Sequence, residues 1–583
     1  MEIREIRTED NAAIERVIRE CLIEFGGNRE GLAWADPGLS DLYHEYNARE
    51  GEKPYHNRAY WVVLDGGRII GGCGIAPYAG STEVCELQKM YLYGEARGTG
   101  IAGRLLRIAL DFAKKHYQRC YLETLSSMHA ANRFYRKNGF VELDGPLEGS
   151  EHFACDAWYI KDLNDDSPKK EKRSWRAEKL GSMGSSIFSE AAGWREEAER
   201  SGKDIINLGI GAPDEAPSAA IRGKLSEAVL RESAYKYPGT RGTAEFRGRC
   251  SDWMRHRFGA EIDPNTEILP LLGSQDGLAH LAQAICNPGD LAILPNPGYP
   301  IYAGSLAIAG VTPWLLPLRE ENDFLPDLDA VPDEVWEQAV FILLNFPGNP
   351  IAALTDYPFL EKLVTLAKKW NVLIVHDLAY SEMGFDGYRP LSIFEIPGAL
   401  DTAVELHSFS KSFNMAGCRI GFMAGNAEAV GALRELKGHI DFGAFEPIQE
   451  TAVFALEQAM AAPDGDRGVA PIYERRRDVF VEALAEEGWQ VRKPGATMFV
   501  WARLPEKLLM DDSWSSKAFS RELMLSEGIG SIPGCAFGSE GEGYVRFSLV
   551  RDEAALREAA RRIGRFVRGM VSINTSGSVG QSG

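Results

Sequence analysis

The sequence predicts an α/β protein in two units: a smaller α+β unit, then a larger one whose mostly parallel sheet is sandwiched by helices, with a smaller α/β part beside it. Three observations carry this. The chain has 583 residues, several times the ~100–200 of one domain. In its second part the runs LAILPNP, AVFILLNFP, NVLIVHD and AVELHSFS are almost continuously apolar and alternate with helical stretches, as parallel strands covered on both faces do. Between the parts, NDDSPKKEKRSWRAEK (164–179) loses all apolar periodicity. The expected units are therefore 1–162 and 179–570, joined by a linker at 163–178 and followed by a Ser/Gly-rich tail, 571–583, too poor in apolar surface to offset its own ordering.

Composition narrows the function. Apolar residues at 45% and charged residues at 25% are those of an ordinary globular protein. The 84 acidic against 64 basic side chains give a net charge of -20, which repels a phosphate backbone, so no nucleic-acid partner is expected. The start, MEIREIRTEDNAAIERV, is charged from its second residue, and no run approaches the ~20 apolar residues of a membrane span; a cytoplasmic protein with no membrane partner is expected. The nine cysteines are scattered without a C-x-x-C pair, and read as small buried hydrophobes, with no metal site.

In the first unit, VCELQKMYLYGEARGTGIAGRLLRIALDFAKKHY reads as a strand, a Gly-rich turn and a helix with Ile101, Leu105, Ile108, Ala109 and Phe112 on one face. The turn, Arg97-Gly98-Thr99-Gly100-Ile101-Ala102, gathers unpaired N–H groups at the positive end of a helix, a setting that suits a pyrophosphate. This segment resembles the GNAT family of N-acetyltransferases, whose R/Q-x-x-G-x-G/A pattern is met by Arg97, Gly100 and Ala102. The resemblance covers about residues 1–162 and implies acetyl-CoA, or another acyl-CoA, as cofactor. It also implies that Asn132 contacts the pantetheine and that Tyr135, one turn on, protonates the departing thiolate. Glu86 on the first strand and Glu123 on the next are alternative general bases for the acceptor amine.

In the second unit, HDLAY (376–380) followed by HSFSKSFNMAGCRIG (407–421) resembles the fold-type I aminotransferases, which use pyridoxal 5'-phosphate (PLP). PLP requires a lysine for its aldehyde, an acid against its pyridine nitrogen, donors at its phenolate and several donors for a dianionic phosphate. The resemblance assigns these to Lys411, to Asp377, to Tyr380 and Asn349, and to Ser408, Arg419 and the helix start Ser274-Gln275-Asp276, respectively. It places Tyr299 over the pyridine ring and Tyr237 at a neighbouring subunit's phosphate, which implies a homodimer. Arg546 in GEGYVRFSL is expected to hold the substrate α-carboxylate in a two-pronged contact, with Gly209 lining the same pocket.

The implied activity is transamination between an amino acid and a 2-oxo acid, fused to acetyl transfer onto a related amine. The stretches GSQDGLAHLA, PNPGYPIY and HDLAYSEMGFDGYRP look most like the LL-diaminopimelate, alanine and methionine aminotransferase branch. Departures at Gly348, Ile351, Ala352, Ala416 and Cys418 alter the usual pattern, and leave open β- or γ-substitution, elimination or carbon–carbon bond formation on the same cofactor. A PLP-binding regulator is the remaining alternative, opposed by the acidic, CoA-suited first unit.

Overall fold

Alternation of apolar residues decides how the first sheet is covered. The computed structural model describes residues 1–576 apart from 25–26, 30, 50, 98, 151–153, 165–174, 182–185, 464 and 512. The chain divides into two units, Met1–Trp175 and Arg176–Gly583, each described by itself. The first contains β1 (Glu2–Glu5), α1 (Asn11–Glu24), α2 (Leu42–Tyr46), β2 (Ala59–Asp65), β3 (Arg68–Pro77), β4 (Val84–Leu92), α3 (Ile101–Ala113), β5 (Arg119–Thr124), α4 (His129–Lys137), β6 (Val141–Leu143) and β7 (Ala157–Asp162). Along β2 the period of two sends Tyr60 and Val62 to the side covered by α1, and Trp61 and Val63 to the side covered by α3. On α3, Ile101, Leu105 and Ala109 are buried as the periodicity predicts, while Ile108 and Phe112 lie at the margin.

The seven strands run in the order β1-β2-β3-β4-β5-β7-β6, antiparallel except for the parallel pair β4–β5. That pair is registered only from Val84 opposite Arg119 to Glu86 opposite Tyr121. Beyond Glu86 the strands part, and β4 carries a left-handed residue, Lys89 (φ 50°). The parting opens the middle of the sheet.

The second unit contains α5 (Ser186–Arg200), β8 (Ile206–Asn207), α6 (Ala219–Val229), α7 (Ala244–Phe258), β9 (Ile268–Leu271), α8 (Ser274–Ile285), β10 (Leu291–Asn296), α9 (Ile301–Ala309), β11 (Thr312–Pro317), α10 (Asp333–Gln338), β12 (Ala339–Leu344), α11 (Tyr357–Trp370), β13 (Leu373–Asp377), β14 (Ala403–Ser408), α12 (Phe409–Ser412), β15 (Gly421–Gly425) and α13 (Ala427–Lys437). It continues with α14 (Glu446–Met460), α15 (Ala470–Glu486), β16 (Phe499–Arg503), α16 (Glu506–Leu509), α17 (Ser516–Glu527), β17 (Ile529–Gly530), β18 (Ile532–Pro533), β19 (Tyr544–Ser548) and α18 (Glu553–Ser576). The last helix takes in 571–576, part of the tail expected to be disordered; 577–583 lie outside the described residues.

The large sheet has the order β11-β10-β12-β13-β14-β15-β9, parallel except for β15, which is antiparallel to both neighbours. Its central strands are buried on both faces, which is why they read as unbroken apolar runs. α11 shows the local rules that place such helices: Asp356 caps its first turn by accepting from the Phe359 N–H, a proline follows, and left-handed Asn371 ends it after Lys368 and Lys369. A three-stranded sheet, β16-β19-β18, forms the smaller part with α15, α17 and α18. The functional side chains gather at the carboxyl ends of the central parallel strands, where open α/β sheets bind ligands.

Candidate active site

In the second unit, the last residue of an apolar strand becomes the buried acid. Asp377 ends β13 at 5% exposure; its Oδ2 accepts from the Tyr302 hydroxyl at 2.8 Å, and its Oδ1 is buried with no hydrogen-bond partner. Burial pushes its carboxyl up to about 6, against the Tyr302 hydrogen bond and the nearby imidazoles of His376 and His407. Behind it, fully buried Glu405 bridges His376 Nδ1 (2.9 Å) and His407 Nε2 (2.7 Å), and these bonds hold Glu405 down at about 2 in spite of its burial.

Lys411 lies in the short α12, whose first N–H groups are capped by Ser408 at the end of β14; Ser408 Oγ accepts from Ser410 N at 3.2 Å. The Lys411 Nζ donates to the Gly211 carbonyl at 2.6 Å. Burial, then the charges of Arg546 and Arg419, lower the lysine to about 8, with Asp377 opposing.

Arg419 supplies a cation whose hydrogen bonds go to carbonyls, Ala416 O at 3.0 Å and Leu272 O at 3.3 Å. Its guanidinium crosses the turn at Gly273 (φ 79°), where an added Cβ would fall 2.7 Å from Nη2, so glycine is needed for both the backbone angle and the approach. The turn leads to Ser274 and Gln275 at the exposed N-terminus of α8, and both line the cavity. Asp276 does not: it turns inward, accepts from Leu272 N at 2.9 Å and His280 Nδ1 at 2.9 Å, and pairs with buried Lys437. Asp276 was expected at this helix start; its side chain faces away from the cavity for an electrostatic reason, since a carboxylate beside a dianion would oppose binding, while Lys437 compensates it inside.

Lys411, Asp377, Ser274, Gln275, Tyr299, Asn349, Tyr380, Ser408 and Arg419 thus border one cavity of about 340 Å3. Tyr380 packs edge-on against Phe499, 5.7 Å between centroids. The Tyr299 hydroxyl stands 3.5 Å from Gln275 Oε1. A second cavity of about 360 Å3 adjoins it through shared Gly211, Ala212, Tyr299 and Asn349. At this seam lies Arg546, 2% exposed, donating to Asn349 Oδ1 at 2.7 Å and Gly209 O at 2.8 Å between the rings of Phe499 and Phe537. Burial lowers it to about 10, its Nε has no partner, and none of its bonds is to a carboxylate. Tyr237 is not brought to either cavity; it is 93% exposed and faces Phe442. Ile351 is buried in the core, whereas Ala416 lines the first cavity.

Sequence reasoning missed Tyr302, Asn345 and Gly211. Tyr302 sits in an apolar helix start and reads as core. Asn345 donates to the Asp377 carbonyl at 2.5 Å and accepts from Asn349 N at 2.8 Å; its only signal was being the first of two asparagines in NFPGN. Gly211 contributes a backbone oxygen, which no residue type announces.

In the first unit, Gly100 (φ 84°) begins α3 and Ala102 lies in its first turn; Gly98 falls outside the described residues. The Arg97 side chain binds Glu24 on α1 at 2.5 and 2.6 Å and Leu92 O at 3.0 Å. Asn132 donates to Leu125 O and Ser126 O, and its Oδ1 is buried without a partner. Tyr135 is 8% exposed, packs edge-on against Phe140, and has its phenol pushed up by burial. Glu86 and Glu123 both face a cavity of about 480 Å3 where β4 and β5 part. Gln88, itself held by the Tyr46 hydroxyl at 2.6 Å, donates to Glu86 at 2.7 Å; Tyr121 and Ser150 donate to Glu123 at 2.8 and 3.0 Å.

Comparison with known proteins agrees with both geometries. Residues 203–563 match the model of the aminotransferase class I and II family, and residues 29–140 that of the GNAT acetyltransferase family. An LL-diaminopimelate aminotransferase of Syntrophobacter fumaroxidans is 40% identical over 392 residues, 67% of this chain and 98% of its own. One from Oleidesulfovibrio alaskensis is 42% identical over 391 residues, 66% and 98% of the two chains. Among solved structures, substrate-bound BacF from Bacillus subtilis superposes with a TM-score of 0.61 at 36% identity, covering 65% of this chain and 94% of that one. A probable N-succinyldiaminopimelate aminotransferase from Thermus thermophilus gives 0.60 at 37%, covering 65% and 99%. The fold and site define a PLP-dependent transferase with an acyltransferase domain attached. The chain belongs to the class I and II aminotransferase family and carries an N-terminal GNAT domain.

The residues present fit both cofactors. An orphaned buried carboxylate oxygen on Asp377, a lysine lowered by burial, and a guanidinium beside an open helix start match a pyridinium, an aldehyde and a phosphate. An open helix start at Gly100 beside a parted strand pair matches an acyl-CoA.

Proposed function

We propose that this protein is bifunctional: a PLP-dependent aminotransferase acting between an amino acid and a 2-oxo acid, joined to an acetyl-CoA-dependent N-acetyltransferase for a related amine. The observation that carries the first half is the meeting of Lys411, the free oxygen of Asp377 and the uncompensated Arg546 in adjoining cavities. PLP, when bound, supplies an electron sink for charge left at the substrate Cα. Asp377, with its free Oδ1, would hold the proton on the cofactor's ring nitrogen, and Ser408, Arg419 and the start of α8 would hold its phosphate. Arg546 orients the substrate by its α-carboxylate, a two-pronged contact whose strength comes from a desolvated, otherwise unpaired cation. Lys411 Nζ, a neutral amine over part of its population near pH 8, takes and returns the proton at Cα.

For the second half, Glu86 or Glu123 takes a proton from the acceptor amine, and the turn at Gly100 holds the CoA pyrophosphate. The homodimer reading is supported by exposed apolar side chains on the second unit, Leu230, Tyr235, Tyr237, Ile440 and Phe442. Among the described residues no helix is long and apolar enough to cross a membrane; we place the protein in the cytoplasm.

Lys411→Ala is expected to abolish transamination and the visible absorbance of bound PLP while acetyl-CoA binding, followed by calorimetry, persists. An Arg97→Ala, Gly100→Ala pair is expected to do the reverse. A Lys411→Ala protein that still transaminates would remove the basis of the reading.

A further inference from the structure

Where β4 and β5 part, the cavity of about 480 Å3 in the first unit carries charges of both signs, and the sheet register sets their spacing. Ala59, the first residue of β2, is opposite Ile75, and Ala76, the next residue of β3, is opposite Glu86 on β4. Arg58, directly before Ala59, therefore stands in one cross-strand row with Ala76 and Glu86, two strand spacings or roughly 10 Å from Glu86. The middle residue of the row is an alanine, whose small side chain keeps the space between guanidinium and carboxylate open. Two cations border the cavity among the described residues, and they differ. Lys89 is paired with Asp36 at 2.5 Å, so its charge is met within the protein. Arg58 has no carboxylate within ion-pairing distance among the described residues: its Nη1 donates to the Glu45 carbonyl at 3.0 Å, its guanidinium lies 4.4 Å from the centre of the Tyr55 ring, and its Nε is buried without a hydrogen-bond partner. The Glu45 side chain is exposed at the rim, where water screens its charge. Further along the sheet, Glu86 accepts from the Gln88 amide, and Glu123 from the Tyr121 and Ser150 hydroxyls, all neutral donors.

We propose that Arg58 reads a carboxylate on the acyl acceptor, so that the first unit acetylates the amine of a free amino acid, with the carboxylate on Arg58 and the amine toward Glu86 and Glu123. This rests on the acetyltransferase reading for its reaction. A guanidinium already desolvated at Nε gains a two-pronged charged contact from a planar carboxylate, and an ammonium gains from the acids at the other end of the row. The zwitterion thus meets the cavity sign for sign. A simple diamine, or a lysine side chain of a polypeptide, brings no anion to Arg58 and would set an ammonium against a like charge. The transfer forms the N–C bond of an N-acetyl amino acid and breaks the C–S bond of the thioester. Of the three ammonium protons, one stays on the amide, one goes to the departing sulfur and one leaves for solvent through the carboxylates. Transamination, the reaction proposed for the second unit, is of the class that supplies such an acceptor.

The test supplies full-length protein with acetyl-CoA and measures acetylated product by mass spectrometry. The acceptors are the common amino acids, the same compounds as carboxamides, putrescine, cadaverine, and a lysine-containing peptide with a blocked N-terminus. The carboxamide keeps the amine and the side chain and removes only the negative charge. For at least one amino acid, kcat/KM is expected to exceed that of its carboxamide by ~10-fold or more, through KM, the scale of one good charged contact. In Arg58→Met the margin is expected to collapse to within about twofold while acetyl-CoA affinity holds, and in Arg58→Lys to recover in part. Should Arg58→Met lose its cooperative melting, Arg58→Gln carries the same comparison. Equal rates for acid and carboxamide, survival of the margin in the uncharged variant, or acetylation confined to the diamines or the peptide overturns the assignment and leaves the acetyltransferase reading standing. Acetylation of no acceptor by protein that binds acetyl-CoA overturns the acetyltransferase reading. Arg58 is then judged by calorimetry on CoA-loaded protein, N-acetyl amino acids against their carboxamides, where a ~10-fold margin that vanishes in Arg58→Met upholds it and equal binding overturns it.

Discussion

Lys411 and Arg546 illustrate how a single residue acquires its chemistry from its surroundings. Both are cations, both lie in adjoining cavities, and neither is hydrogen-bonded to a carboxylate among the described residues. An isolated lysine holds its proton far above neutrality; here burial and two nearby guanidinium groups lower it to about 8. The sign follows directly: only the neutral amine attacks an aldehyde, so capture of PLP by the apoprotein should speed up about tenfold per pH unit below pH 8 and level off above it. Removing one of the cations, as in Arg546→Met, should move the inflection upward. Stopped-flow absorbance measures both, and an inflection in the ordinary lysine range would count against the burial argument. At this scale the cofactor was legible through resemblance: HDLAY and HSFSKSFNMAGCRIG, with Asp377, Tyr380, Lys411 and Arg419, look like the aminotransferase pattern. The bond from Tyr302 to Asp377 was not, because it joins residues 75 apart in sequence through a tyrosine that local pattern assigns to the core.

At the scale of elements, the start of α8 shows what periodicity can and cannot reveal. The glycine turn and helix start are evident from LLGSQDG, but the direction of Asp276 depends on Lys437, 161 residues later in α13. Lys437 is fully buried and shared with Asp441 at 2.5 Å, so α8, α13 and the turn at Leu272 are tied at one point beneath Ser274 and Gln275. Lys437→Met should destabilise the protein by roughly 3–5 kcal/mol in urea unfolding, because the Asp276 carboxylate is left buried and uncompensated, and should weaken PLP binding through the displaced turn. Adding Asp276→Asn should restore much of that stability. A single variant within the error of the unaltered protein would show that the tie is not needed. The strands were legible for the complementary reason that burial on both faces leaves only apolar residues. The last helix runs on to Ser576, through residues whose composition suggests disorder.

At the scale of the whole molecule, Tyr237 at 93% exposure, beside Phe442 and on the same unit as exposed Leu230 and Ile440, is a ring without a function inside one subunit. A homodimer would cover these groups, and sedimentation at micromolar concentration should find one; Tyr237→Ala with Phe442→Ala should weaken both the dimer and PLP retention. A monomer that holds PLP fully would rule this out. The division into two units was legible from one charged, Pro- and Ser-containing stretch, and the expected start of the second unit, 179, already lies ahead of the family match. The family match starts at residue 203, whereas the wall of the substrate cavity starts at Ala191. A cut at the family boundary would remove α5 and with it one wall of the second cavity, while leaving every residue that borders the first.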